Sequence, residues 1–261
     1  MITKLLKYDI KKMTRILVYM YAVSVVLAVI TRLINIRDDI QAIRILGMVF
    51  AGCTYSAIGN VVVNTFVHII DIFIKNFYKD ESYLTHTLPV SKNKLLASKY
   101  IASLIVIVAS VAVSFVSLFI VLYSKSFIDG IKMFVEATVS GFNISIGLFI
   151  TLVILLLASQ ICCLITMAFT AIVKANSYNS KRVIKGVLWF VGFYFAAMLL
   201  NVLTAVLYFA ISGNLTELLA QVLSQKAFIS ILVIVLINYV IYSVLFYIAC
   251  NRIFNKGVNI D

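Results

Sequence analysis

The chain has 261 residues, 63% of them hydrophobic and 12% charged, with a formal net charge of +12 and a mean hydropathy of +1.10. Soluble domains carry about twice that charged fraction, so the composition excludes an ordinary water-soluble fold and predicts a single all-α polytopic transmembrane domain over 1–261. A basic excess of this size would suggest a nucleic-acid partner in a soluble protein, but its distribution assigns it to membrane topology, with no nucleic acid implied.

The first fifteen residues carry Lys4, Lys7, Lys11, Lys12 and Arg15, and no small-residue cleavage site follows the first apolar run, so they do not read as a cleavable signal. Ile2, Leu5, Leu6, Ile10, Met13 and Leu17 recur at helical spacing with lysines on the other face. This predicts an amphipathic interfacial helix over 1–14, its basic side toward anionic head groups. Six apolar runs long enough to cross a bilayer follow, near 16–36, 45–74, 96–123, 145–173, 184–212 and 228–250. An even number of crossings puts both termini on one side. Sixteen of the 22 Lys and Arg residues fall on that side, in the N-terminal segment, the second and fourth loops and the tail. The positive-inside rule makes it the cytoplasmic side.

The second span is predicted to run on as a cytoplasmic helix through Phe77. It carries Gly47, Gly52 and Gly59, which permit close helix approach, and two amides one turn apart, Asn60 and Asn64. Such amides serve either as interhelical glue or as the lining of a substrate path. His68 and Asp71, three residues apart near its cytoplasmic end, read as an intramembrane polar pair: a proton site, a partner-facing ion pair, or an interfacial cap on the apolar run.

The longest polar interval comes next, holding the only proline and one of two histidines. Asp80, Glu81 and Ser82 are acceptors suited to opening a helix. Tyr83 to Leu88 make about a turn and a half, with Leu84 and Leu88 stacked on one face. Pro89 ends the segment, and Ser91 is placed to cap the helix that rises into the third span. A short helix with an aromatic and two leucines, held between two spans, suits either docking into a groove on a soluble partner or lying on the membrane surface.

Beyond the third span, 125–139 and 214–225 show helical apolar spacing and read as short amphipathic helices at the outer interface, either structural caps or a gate. Cys53, Cys162, Cys163 and Cys250 all lie in apolar runs without metal-ligand spacing and read as small buried residues, so no metal is implied. Gln160, Asn201 and Asn238 are further intramembrane amides, each needing a partner or a water-filled cavity; Asn201 joins Asn60 and Asn64 as a candidate for a path. The sequence contains no G-x-x-x-x-G-K-[ST], H-E-x-x-H, G-x-S-x-G or C-x-x-C pattern, so the chain is not expected to be an enzyme.

The run Asp80-Glu81-x-Tyr83-Leu84-Thr85-x-Thr87-Leu88-Pro89-Val90-Ser91, followed by Lys94-Leu95-Leu96-x-Ser98-Lys99, resembles the first cytoplasmic loop of type-2 ABC exporter permeases from Gram-positive bacteria. The overall plan of an amphipathic N-terminal helix, six spans and both ends inside is similar to that family as well. The resemblance implies that 80–91 is a coupling-helix loop in which Glu81, Tyr83, Leu84, Thr87, Leu88 and Pro89 meet a separately encoded ATPase. It also implies that 1–14 is a connecting helix joined to the first span at Arg15, and that 213–227 matches short re-entrant helices. ATP and Mg would bind two cytoplasmic ATPase subunits rather than this chain, which would need no cofactor of its own and would pair with an identical or related second permease in a bacterial cell membrane. The implied activity is export of a hydrophobic or amphipathic compound, such as a peptide, an antimicrobial or a lipid-like molecule. A non-transporting sensor or immunity subunit, docking an ATPase or sequestering a peptide, remains the alternative. A carrier driven by an ion gradient would need acids at mid-membrane, and Asp71 lies too near the cytoplasmic end to serve.

Overall fold

A computed structural model describes residues 2–36, 40–79, 81–87, 90–178, 181–212 and 224–256. Among these residues there is no strand. The helices are α1 (Ile2–Asn35), α2 (Gln41–Tyr78), α3 (Ser82–Thr87), α4 (Lys92–Leu122), α5 (Lys125–Phe142), α6 (Ile146–Ala175), α7 (Arg182–Ile211) and α8 (Gln225–Asn255). Six of them, α1, α2, α4, α6, α7 and α8, are long and apolar enough to cross a membrane, and the protein is an all-α, multi-pass membrane protein. At about 1.5 Å per residue, the 38 residues of α2 reach about 57 Å, well beyond the ~30 Å hydrocarbon core, so part of this helix projects from it.

The chain divides into two compact units, Met1–Gly130 and Ile131–Asp261. In the first unit α1, α2 and α4 pack against one another. Contacts between Asp9 and Lys99 and between Tyr21 and Ser110 run α1 parallel to α4, while Lys12–Asn76 and Thr31–Thr54 run it antiparallel to α2. The inward face of α1 is the stripe Asp9, Met13, Leu17, Ser24, Ala28 and Thr31, all buried. Lipid tails are as apolar as leucine, so close packing and short polar contacts hold such helices together rather than water exclusion. Small hydroxyls supply both. Tyr21 Oη meets Ser110 Oγ at 2.5 Å, Ser110 Oγ meets Thr65 Oγ1 at 2.7 Å, and Thr31 Oγ1 meets Thr54 Oγ1 at 2.7 Å.

The second unit repeats this order with different chemistry. Gln225 Nε2 donates to Asn143 O at 3.0 Å where both helices start, and Thr170 Oγ1 donates to Phe246 O across 2.8 Å nearer their ends, so α6 runs parallel to α8. Asn238 Nδ2 donates to Asn201 Oδ1 (3.0 Å) and to Thr204 Oγ1 (2.7 Å), which sets α7 antiparallel to α8. Aromatic packing continues the contact, with Phe193 and Phe246 rings 5.1 Å apart. A Schellman turn closes α5: Asn143, at φ 52°, takes the left-handed position, and Ile144 N donates to Val139 O at 3.0 Å.

Two local expectations change. Residues 2–14 continue into the first span as one helix, and Asp9, Met13 and Leu17, on its face toward α2 and α4, are buried. Asp9 explains this, because it sits on that same face and has its counter-charge on α4. Ser91 occupies the N-cap position of α4, but its backbone carbonyl, not its side chain, accepts from Lys94 N and Leu95 N. Ser145 and Ser224, by contrast, cap α6 and α8 with their side chains. The predicted helix over 125–139 is α5, and α2 runs on to Tyr78. The predicted 214–225 helix and the implied re-entrant segment at 213–227 lie almost wholly outside the described residues.

The three glycines of α2 differ. A Cβ at Gly47 would stand 2.5 Å from Asn35 Oδ1, whereas one at Gly52 or Gly59 meets nothing within 4 Å. Among the described residues, close approach along α2 is thus seen at Gly47 and not at Gly52 or Gly59. Gly52→Ala and Gly59→Ala are expected to stabilise the purified chain by about 0.5–1 kcal/mol each through helix propensity. Gly47→Leu is expected to destabilise it, and thermal unfolding of the three variants in detergent is the measurement.

Candidate functional site

At the end of the first unit where α1 begins and α2 finishes, four segments are tied by charge. Asp9 on α1 and Lys99 on α4 form an ion pair with only 3% and 5% of each residue exposed. Ser98 Oγ donates to the second oxygen of the same carboxylate at 2.9 Å. One turn further along α1, Lys12 pairs with Glu81 and donates to Asn76 Oδ1 at 3.0 Å near the end of α2. An isolated buried ion costs several kcal/mol of lost hydration, and only a close partner with further hydrogen bonds offsets it. The pairings therefore fix where α1, α2, α4 and the loop after α2 sit relative to one another.

Glu81 opens directly into α3. A turn with Ser82 N donating to Lys79 O at 2.7 Å leads in, and the six-residue helix packs on α2. The expected helix over Tyr83–Leu88 is thus observed as Ser82–Thr87, starting one residue earlier. Ser82 is buried, while Thr87 is exposed and Tyr83 presents 75% of its surface. Asp80, Leu88 and Pro89, and the side chain of Leu84, lie outside the described residues.

The other predicted site residues separate. Asp71 pairs with Lys75 at 2.6 Å, one helical turn on, in a half-exposed contact worth about 0.3–0.5 kcal/mol. The carboxylate's ion-pair partner is therefore lysine rather than His68, because the i,i+4 spacing lets a lysine chain reach it. His68 is half-buried, and its Nε2 is a buried atom without a hydrogen-bond partner. Asn60 is exposed and lines a shallow groove of about 300 Å³ between α1 and α2, otherwise formed by Tyr19, Met20, Val23, Ala57 and Val61. Asn64, a turn away, is half-buried.

Asn201 belongs to the second unit, where it lines a cavity of about 220 Å³ among α6, α7 and α8. Gln160, Tyr194 and Tyr239 supply its other polar groups, and Cys163 and Met167 part of its apolar wall. All four cysteines are free, and among the described residues no group of three or more His, Cys, Asp or Glu side chains is placed to hold a metal.

Sequence reasoning missed Asp9, Lys12, Asn76, Ser98 and Lys99 as a cluster. A signal was present: Asp9 stands four and eight residues before Met13 and Leu17, an acid on the apolar stripe. Comparison of the chain with protein-family models, with curated proteins and with solved structures finds no match.

Removing one member of the buried pair strands the other. Asp9→Asn or Lys99→Met alone is expected to cost about 3–5 kcal/mol, while the double variant recovers most of the loss. A double-mutant cycle on thermal unfolding measures it.

Proposed function

We propose that the protein is the membrane-spanning subunit of an ATP-driven exporter of the type-2 ABC kind, working in the cytoplasmic membrane of a bacterium. The observation that carries this reading is α3: a short helix between two long spans, tethered through Glu81 to α1 and presenting Tyr83 outward. The surplus of basic residues expected on that side of the membrane agrees with a cytoplasmic partner.

On this reading two ATPase subunits bind ATP and Mg, and this chain pairs with an identical or related permease. Closure of the ATPases displaces α3, and the cluster offers rigid routes onward. Glu81 pulls on Lys12 and so on α1; Lys12 reaches α2 through Asn76; Asp9 carries the motion of α1 to α4 through Lys99. The cargo is a hydrophobic or amphipathic compound, which suits spans whose contacts at mid-height join amides and hydroxyls.

Tyr83→Asp puts a charge on the exposed face of α3 without touching the buried pairs. It is expected to reduce co-purification with the cognate ATPase about tenfold, equivalent to about 1.4 kcal/mol, with unchanged thermal stability. Undiminished co-purification overturns the docking assignment. If docking holds but the complex neither responds to cargo with ATP hydrolysis nor transports in vesicles, the chain is a sensor or immunity subunit instead.

A further inference from the structure

We infer that the cavity among α6, α7 and α8 is a binding site for a small, electrically neutral amphipathic molecule bearing a carbonyl or hydroxyl group. Gln160 and Tyr239 sit near the middles of α6 and α8, so the cavity lies at mid-height of its helices, where polar groups are costly unless used. Four polar side chains, Gln160, Tyr194, Asn201 and Tyr239, converge there on an otherwise apolar wall. An apolar cavity with a few convergent polar groups is the usual form of a small-molecule site.

The donors are also oriented. Asn201 Oδ1 accepts from Asn238 Nδ2, which turns the Asn201 amide so that its Nδ2 hydrogens are left for an acceptor on a ligand. Both tyrosines offer an O–H. The ligand therefore carries an acceptor. Among the described residues lining the cavity there is no Asp, Glu, Lys, Arg or His, so a carboxylate or an ammonium entering it would lose its hydration with no counter-charge. The ligand is therefore neutral. Its size follows from the volume: about 220 Å³ falls below the ~300–1,000 Å³ of drug-sized pockets, so the site holds a short apolar body with one polar end. The cavity borders the flank where Met198 and Val202 are exposed, which gives the ligand a way in from the side.

That this ligand is the exported cargo, or a part of it, rests on the proposed function; that the cavity binds it does not. The test uses the full chain in nanodiscs without any ATPase, and three photoreactive probes with the same diazirine-bearing eight-carbon chain: a primary amide, a carboxylate and an ammonium. The amide is expected to label the segments 160–167 and 194–202 saturably, and unlabelled octanamide to compete. The charged probes should label these segments about fivefold less or weaker, a difference of about 1 kcal/mol. Ala197→Leu fills the cavity and leaves the Asn201–Asn238 bond in place; Gln160→Leu removes a polar contact by a change that membrane helices tolerate. Each is expected to cut labelling about fivefold, and thermal unfolding reports whether each variant is folded. Should Ala197→Leu fail to fold, Gln160→Leu decides. Unchanged labelling in a folded variant, equal labelling by a charged probe, or labelling spread along every exposed helix face overturns the site. Because no ATPase is present, a negative result here leaves α3 docking untouched, and failure of docking leaves a labelled cavity standing.

Discussion

A charge inside a helix bundle must find its opposite, and in the first unit the pairing of Asp9 with Lys99 sets much of what surrounds it. Both residues are almost wholly enclosed, so neither tolerates the other's departure. Their contact fixes the parallel register of α1 against α4, and Ser98 occupies the remaining carboxylate oxygen. It also accounts for the unbroken α1. Asp9 lies on the face of α1 that meets α4, where it is the counter-charge of the buried Lys99, and the helix runs through this contact without a break. The neighbouring Lys12–Glu81 pair extends the same constraint to the loop that carries α3.

The two units use different polar chemistry for the same three-helix order. Serine and threonine on α1, α2 and α4 are small, return bonds to their own carbonyls, and let backbones close up: Thr65 and Ser110 lie 2.7 Å apart, each also within bonding distance of the carbonyl four residues back. On α6, α7 and α8 threonine is joined by the larger amides and aromatic rings: Asn238 bonds Asn201 and Thr204, Thr170 bonds the Phe246 carbonyl, and Phe193 packs on Phe246. Only Ala197 and Phe209 of α7 are fully buried. A cavity lies beside Asn201, whereas in the first unit Asn60 borders only a shallow groove.

Hydropathy and length made the six spans legible, since the bilayer imposes a minimum apolar run and little else imitates it. Pro89 and the acceptors before Tyr83 made a short helix after α2 legible through local backbone chemistry alone, to within one residue at its start. Pairing was harder. His68 and Asp71 share a helical face, yet the i,i+4 lysine was the better partner, because a flexible chain reaches a carboxylate more easily than a fixed ring. Gly52 and Gly59 carried a packing signal, yet a Cβ added at either would meet no described residue within 4 Å. Contacts between residues about ninety positions apart, such as Asp9 with Lys99, leave only an indirect trace in sequence: a charge where the periodicity calls for an apolar residue.

That trace bears on the energy source. Asp9 is a buried acid on a membrane-spanning helix, which at first sight suits a proton-driven carrier. A carrier's acid must gain and lose its proton as the site turns from one side to the other. Protonating Asp9 leaves Lys99 as an uncompensated buried cation, and deprotonating Lys99 strands the carboxylate; either step works against the packing of α1 on α4. The pair lies at the end of the bundle beside α3, not at mid-height, where the second unit presents only neutral groups to its cavity. A fixed, neutralised pair next to an outward-facing helix suits transmission of a push better than storage of a proton. On the proposed reading, then, the work is done by the partner that pushes, and the membrane chain supplies the linkage and a neutral site.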